Sequence, residues 1–298
     1  MTRTWRLSVL AFLALTACAP KPPSLPGPEI EPRLTAYQRE VLSALTGERE
    51  IRPGVKLANR QAIENKREAR TYIAAELTKM GLTPQRQPYG TESENVYAVL
   101  ACGKAGAETV IFGAHYDSVR VAPGANDDGT GVVAVLATAR EIVTTKNRTR
   151  DIIFAFFDEE ERGLLGSKNF AQMMKDRNVL VHSVHTIDQA GWDENGNRAI
   201  ELELPYAGAV DVYKQAAAAL KMTMPIWETA EPGSDHSSFR KLGFKAIGIT
   251  EEYRHKDTTP FIHKAGDTFA TTNWPYLAAT TRLMIQVMRQ LTTENGKA

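Results

Sequence analysis

Apolar positions along this chain alternate between two rhythms: short unbroken runs of strand length, and longer stretches with helical spacing. The run from Ile152 to Phe157 has no polar interruption, which suits a strand buried on both faces of a parallel sheet. Asn95 to Leu100, Val110 to Ala114, Val181 to Ile187 and Ala246 to Thr250 read as further strands. Helical spacing runs over Thr35 to Thr46 and Asn59 to Met80, the second stretch closed by Gly81 as a C-cap. It returns over Val132 to Val143, Lys168 to Lys175, Ala207 to Leu220, Ser237 to Leu242 and Tyr276 to Leu291. Strands alternating with helices predict an α/β fold, a three-layer sandwich whose mostly parallel central sheet is flanked by helices. No repeat and no shift of composition after residue 35 marks a second domain, so residues 35–298 are read as one.

The N-terminus has a different character. Arg3 and Arg6 precede a mostly apolar stretch, Leu7 to Ala17, of signal-peptide length and too short to span a bilayer. Leu15-Thr16-Ala17-Cys18 resembles the lipobox of bacterial lipoproteins, so residues 1–18 are expected to be a signal ending at a lipidated Cys18. Residues 19–34 hold six prolines and read as a stiff tether from that lipid to the domain. The implied location is the bacterial cell envelope, lipid-anchored or periplasmic, and Ala19 after the cysteine leans towards the outer membrane by analogy with bacterial sorting. With Cys18 acylated, Cys102 has no partner for an intrachain disulfide, and neither cysteine is expected to bind metal. Apolar and charged contents of 43% and 24% are ordinary for a globular protein. A formal charge of +1 argues against a nucleic-acid surface.

Candidate chemistry clusters at strand ends. Four consecutive carboxylates, Asp158 to Glu161, follow the central strand, and such crowding calls for a positive group among them. His115, Asp127, Glu160 or Glu161, and Asp188 fall directly after strands or in a Gly-rich turn, where α/β sheets collect their catalytic groups. His263 lies in the loop before the last helix. Imidazole with carboxylate suits zinc, and a carboxylate can bridge two ions.

Six motifs, in order, resemble the M28 family of zinc-dependent aminopeptidases: GAHYDSV, PGANDDGTGV, FFDEEERGLLGS, TIDQAG, SDHSSF and FIHKAGDT. The resemblance implies a zinc-exopeptidase fold and two zinc ions per chain, acting on peptide substrates. His115 and Asp188 would hold one ion, Glu161 and His263 the other, with Asp127 bridging. Counting back from Gly163 makes Glu160 the general base and Glu161 a ligand; the competing frame makes Glu159 the base and Glu160 the ligand. Glu160 would take the proton of a metal-activated water and pass it to the leaving amine. Asp117 is expected to orient a ligand histidine; Asp267 either does the same or caps its loop. Asp235 and His236 are expected on the substrate side. His182, His185 and His255 read as ordinary strand or surface residues, and Trp192 and Trp227 as packing. Where many members carry an aromatic residue beside the final histidine, Ile262 stands here, which leaves Tyr253 or Tyr206 to stabilise the oxyanion. The rival readings are a single-zinc glutaminyl-peptide cyclase and a non-catalytic envelope lipoprotein that binds through a decayed peptidase domain. Nothing in the sequence sets an oligomeric state.

Overall fold

The computed structural model describes residues 30–294. Cys18, the signal core and most of the expected tether lie outside those residues. Helix α1 (Ile30–Leu45) begins within the stretch read as tether, despite Pro32, because proline is tolerated in the first turn of a helix. Then follow α2 (Ile63–Lys79), β1 (Pro84–Tyr89), β2 (Ser93–Leu100), β3 (Thr109–His115), α3 (Thr130–Ile142) and β4 (Asp151–Phe157). The second half holds α4 (Leu165–Asp176), β5 (Val181–Ile187), β6 (Ile200–Glu203), α5 (Ala209–Ala219), β7 (Ile226–Thr229), α6 (His236–Lys241), β8 (Ala246–Thr250) and α7 (Trp274–Thr292).

The strands form one eight-stranded sheet in the order β1-β2-β4-β3-β5-β8-β6-β7. Its centre, β4-β3-β5-β8, is parallel throughout, as the apolar runs predict. Its margins are not: β1 and β2 pair antiparallel, as do β2 with β4 and β6 with β8, which makes the sheet mixed. The sequence reading missed β1, β6 and β7. β1 carries prolines and no apolar run, which an edge strand tolerates, and β6 alternates Ile and Leu with two glutamates over four residues.

Residues of β4 divide the core by parity. Ile152, Phe154 and Phe156 enter the larger core, with α1, α2, α3, α5 and α7. Ile153, Ala155 and Phe157 enter the smaller one, with α4 and α6, where Phe157 and Phe170 meet edge to face at 5.5 Å. This is the helix–sheet–helix layering expected of an uninterrupted apolar strand. The parallel centre also places the carboxyl ends of β3, β4, β5 and β8 along one edge, and the polar residues that follow them meet there.

Candidate metal centre

His115 is the last residue of β3 and is almost wholly buried. The chain after it is held by Arg60, whose buried guanidinium donates to the carbonyls of Tyr116 (2.7 Å), Pro123 (2.6 Å) and Gly124 (2.7 Å). Gly124 turns with φ 68°, and the segment 125–129 carries Asn126, Asp127 and Asp128 into the site. The Asp127–Asp128 peptide is cis. Asp267 accepts from the backbone N–H of Asn126 (2.7 Å) and of Asp127 (3.1 Å), so it fixes this Gly-rich loop rather than the loop before the last helix that it was expected to cap. Asn126 in turn donates to Glu251 (3.0 Å) and accepts from the Gly191 N–H (2.7 Å), which ties the loop to the end of β8 and to the segment after Asp188.

Asp127 stands between two histidines. Its Oδ1 lies 3.3 Å from His115 Nε2, and its Oδ2 lies 3.1 Å from His263 Nε2. Asp188 Oδ1 approaches the same His115 nitrogen at 3.6 Å, and Glu161 Oε2 approaches the same His263 nitrogen at 3.0 Å. Two groups of convergent ligand atoms result: His115 with Asp128 and Asp188, and Asp127 with Glu161 and His263. Asp128 is an addition to the residues expected. Its Oδ1 accepts from the N–H groups of Gly131 (2.8 Å) and Gln189 (3.2 Å), while Oδ2 has no hydrogen-bond partner among the described residues.

The four acids after β4 separate into two pairs. Asp158 and Glu159 turn to Lys66, whose Nζ lies 3.1 and 3.0 Å from their oxygens, and Glu159 also accepts from Arg162 (2.7 Å). The positive group that the run demanded is, for this half, a lysine. Glu160 and Glu161 open a short 3₁₀ turn entered through Glu159 at φ 57°. Their backbone N–H groups donate to the two oxygens of Asp117 (3.0 and 3.3 Å). Glu161 reaches His263, whereas Glu160 faces a cavity of about 170 Å³ shared with Asp127, Asp188 and His263. The carboxylate of Glu159 is committed to Lys66 and Arg162 and turns away from that cavity.

Electrostatics register the crowding. Burial pushes Glu160 up to about 10 against the opposing pull of His115, with Asp188 adding to the rise. Burial and then Asp127 raise Glu161 to about 7. Donation to the Asp127 carboxylate lifts His263 to about 9, against the opposing effect of burial. Asp127 is also pushed up by burial, but the two histidines beside its oxygens outweigh this and hold it below the usual carboxylate range. Glu203 lines the same cavity and is pushed up to about 8 by burial, with the charge of Asp188 adding to the rise.

Other expected residues lie elsewhere. Asp235 and His236 are buried and do not line the cavity; Glu231, Gly233 and Ser234, just before them, do. Tyr253 lines the cavity beside Ile262, whereas Tyr206 packs against His185. Trp192 packs on Phe261, and Trp227 stacks on His255 while donating to Glu252, so Trp227 is a surface stack and not core. Neither Arg60, Lys66 nor Glu203 was foreseen: each is a charged residue in an ordinary local pattern, and only its distant partners reveal its part.

The donor set fits zinc. Both ring nitrogens of His115, Oε1 of Glu161 and Oδ1 of Asp188 are buried without hydrogen-bond partners among the described residues, an arrangement that cations satisfy. The model for "Peptidase family M28" matches residues 95–288. A probable leucine aminopeptidase of Arthroderma otae is 32% identical over 204 residues, covering 61% of this chain and 53% of that protein. The chain thus spans about half the length of the curated relatives it matches. Among solved structures, LapA of Legionella pneumophila superposes with a TM-score of 0.78 at 20% identity over 92% of this chain and 79% of that one. A glutaminyl cyclase of Porphyromonas gingivalis superposes at 0.72 with 18% identity, over 86% and 98% of the two chains. With six motifs in order, two ligand clusters at the strand ends and a family model matched over most of the domain, the chain belongs to peptidase family M28.

Proposed function

We propose that the chain is a metal-dependent exopeptidase that removes N-terminal residues from peptides and holds two zinc ions. His115 and Asp188 would hold one ion and Glu161 and His263 the other, with Asp127 offering one oxygen to each pair. The observation that carries this reading is the single carboxylate of Asp127, with one oxygen against each histidine. Zinc bound there would supply Lewis-acid activation of the scissile carbonyl and of the attacking water. Glu160 would take the proton from the attacking water and return it to the leaving amine; its place on the cavity, outside both ligand clusters, suits a general base. Asp117 supports the site from behind, against His115 Nδ1 at 3.4 Å and under the Glu160–Glu161 turn. Tyr253, which shares the cavity wall with the hydroxyls of Ser234 and Thr250, is the residue we assign to the oxyanion.

The test is mass spectrometry of peptides with free, acetylated and Gln-first N-termini, with and without a chelator. Stepwise loss of residues from free N-termini alone, stopped by chelation, is expected. Glu160→Gln should cut turnover by about 100-fold or more with zinc content unchanged. Normal turnover in that variant would remove Glu160 as the base.

A second reading, glutaminyl-peptide cyclase, is favoured by one observation: the fold covers nearly all of the cyclase chain. Loss of ammonia from the Gln-first peptide, without hydrolysis of the others, would select it.

The lipidated Cys18 remains our proposal for how the domain reaches the envelope, on the strength of Leu15-Thr16-Ala17-Cys18. Cys18→Ala should move the protein from the membrane to the soluble fraction of cells; an unchanged distribution would refute the anchor.

A further inference from the structure

Glu203 ends β6 and lines the same cavity as Glu160, yet it belongs to neither ligand cluster. Only 5% of its surface is exposed. No side chain or N–H among the described residues hydrogen-bonds its carboxylate. His236 Nδ1 stands 3.6 Å from Oε2 and is itself buried without a hydrogen-bond partner among the described residues. Burial holds His236 down to about 4, so the imidazole faces Glu203 uncharged. The position is also built. A Cβ at Gly248 would sit 2.3 Å from Glu203 Oε2 and 2.7 Å from His236 Nδ1, so only glycine leaves both side chains room.

Every other acid on the cavity has an answer. Asp127 and Asp188 lie with the ligand histidines, Glu160 serves as the base, and Glu231 at the rim is ion-paired with Arg254. Glu203 alone has none. A buried carboxylate with no counterion costs several kcal/mol unless a cation reaches it. The free space beside it also carries Ile262 and Tyr253, apolar surface for the stem of a long side chain whose charged end must travel inward.

We propose that Glu203 reads a cationic first side chain, so that the cavity prefers peptides beginning with arginine or lysine. This deepens the exopeptidase reading and rests on it. The guanidinium or ammonium would reach Glu203 Oε1 and Oε2 while the scissile bond lies at the Asp127 cluster.

The test compares Arg-first with citrulline-first peptides, and Lys-first with norleucine-first peptides, on the zinc-loaded full-length protein. These pairs match in shape and differ in charge. Charge-assisted recognition should raise kcat/KM for the cationic member by about tenfold or more. Glu203→Gln should bring each ratio close to one, and Glu203→Met should turn it in favour of norleucine. Equal rates within the pairs for the wild type would overturn the proposal. An equal loss on all four peptides in Glu203→Gln, with ratios kept, would also overturn it, because the carboxylate would then be holding the α-amine. If the wild type cleaves nothing, the exopeptidase reading falls. Calorimetric binding of free arginine against citrulline then decides: a preference abolished by Glu203→Gln upholds the proposal, and none refutes it.

Discussion

Asp117 has two tasks at once. One oxygen faces His115 Nδ1, and both oxygens accept the N–H groups that open the Glu160–Glu161 turn. A single carboxylate therefore couples the orientation of a histidine on β3 to that of Glu160 and Glu161 after β4. An asparagine would keep the shape but set an N–H₂ against one of those donors. Asp117→Asn is expected to lower zinc affinity or kcat by about 10- to 100-fold, read by metal titration and steady-state kinetics. Unchanged values for both would mean that the backbone alone places Glu160 and Glu161.

Between β4 and α4 the chain makes a tight sequence of turns, with Glu159 and Leu164 both at positive φ. Two devices hold it. Gly166 lies so close to Asp158 that a Cβ there would meet its carbonyl oxygen at 2.2 Å, which makes a side chain unacceptable. Lys66, projected from α2, neutralises Asp158 and Glu159 from below. Asp158 is still pushed up to about 6, mainly by burial and against the pull of the lysine, so the pairing is only just sufficient. Lys66→Met removes the cation and leaves two buried acids facing each other. The expected loss is about 3 kcal/mol of unfolding free energy in urea titrations. A loss below about 0.5 kcal/mol would show that the acids are protonated or solvated in the folded state.

At the scale of the whole molecule, pH acts on stability through a buried histidine that belongs to neither ligand cluster. His185 is fully buried between Tyr213 Oη (2.9 Å) and Ser183 Oγ (3.0 Å), and burial, with His182 nearby, lowers it to about 3. Its folded pKa lies below its unfolded one, so the unfolded chain takes up a proton first as pH falls. Full stability from this group is present above about 6.5 and is lost progressively towards pH 3. Subtracting the stability–pH curve of His185→Gln from that of the wild type isolates this contribution from the acids that titrate with it. The difference should slope downward on acidification through that window; a flat difference would mean that the ring is protonated in the fold.

Much of this molecule was legible along the chain. The central parallel strands announce themselves as apolar runs because both their faces are covered, and the strand-end residues follow from where such runs stop. His115, Asp127, Glu161, Asp188 and His263 could be named from motif order, because the chemistry they suit requires those residue types at strand ends and in Gly-rich turns. Local pattern cannot carry long-range pairing. β1, β6 and β7 are too short or too polar to show periodicity, and only their neighbours in the sheet make them strands. Lys66 and Arg60 look like surface charges until α2 and the loop before it fold against Asp158, Glu159 and the carbonyls around Gly124. Which acids of Asp158 to Glu161 face the site was decided by a turn at positive φ and by a lysine some ninety residues away. Glu203 gave no sign in sequence at all: its isolation is a property of the space around it, which exists only once β6 lies beside Gly248 and α6. The chain itself determined the chemistry and the layers that hold it; tertiary structure alone decided the partner of each charge, because burial and distance are set by segments that meet only on folding.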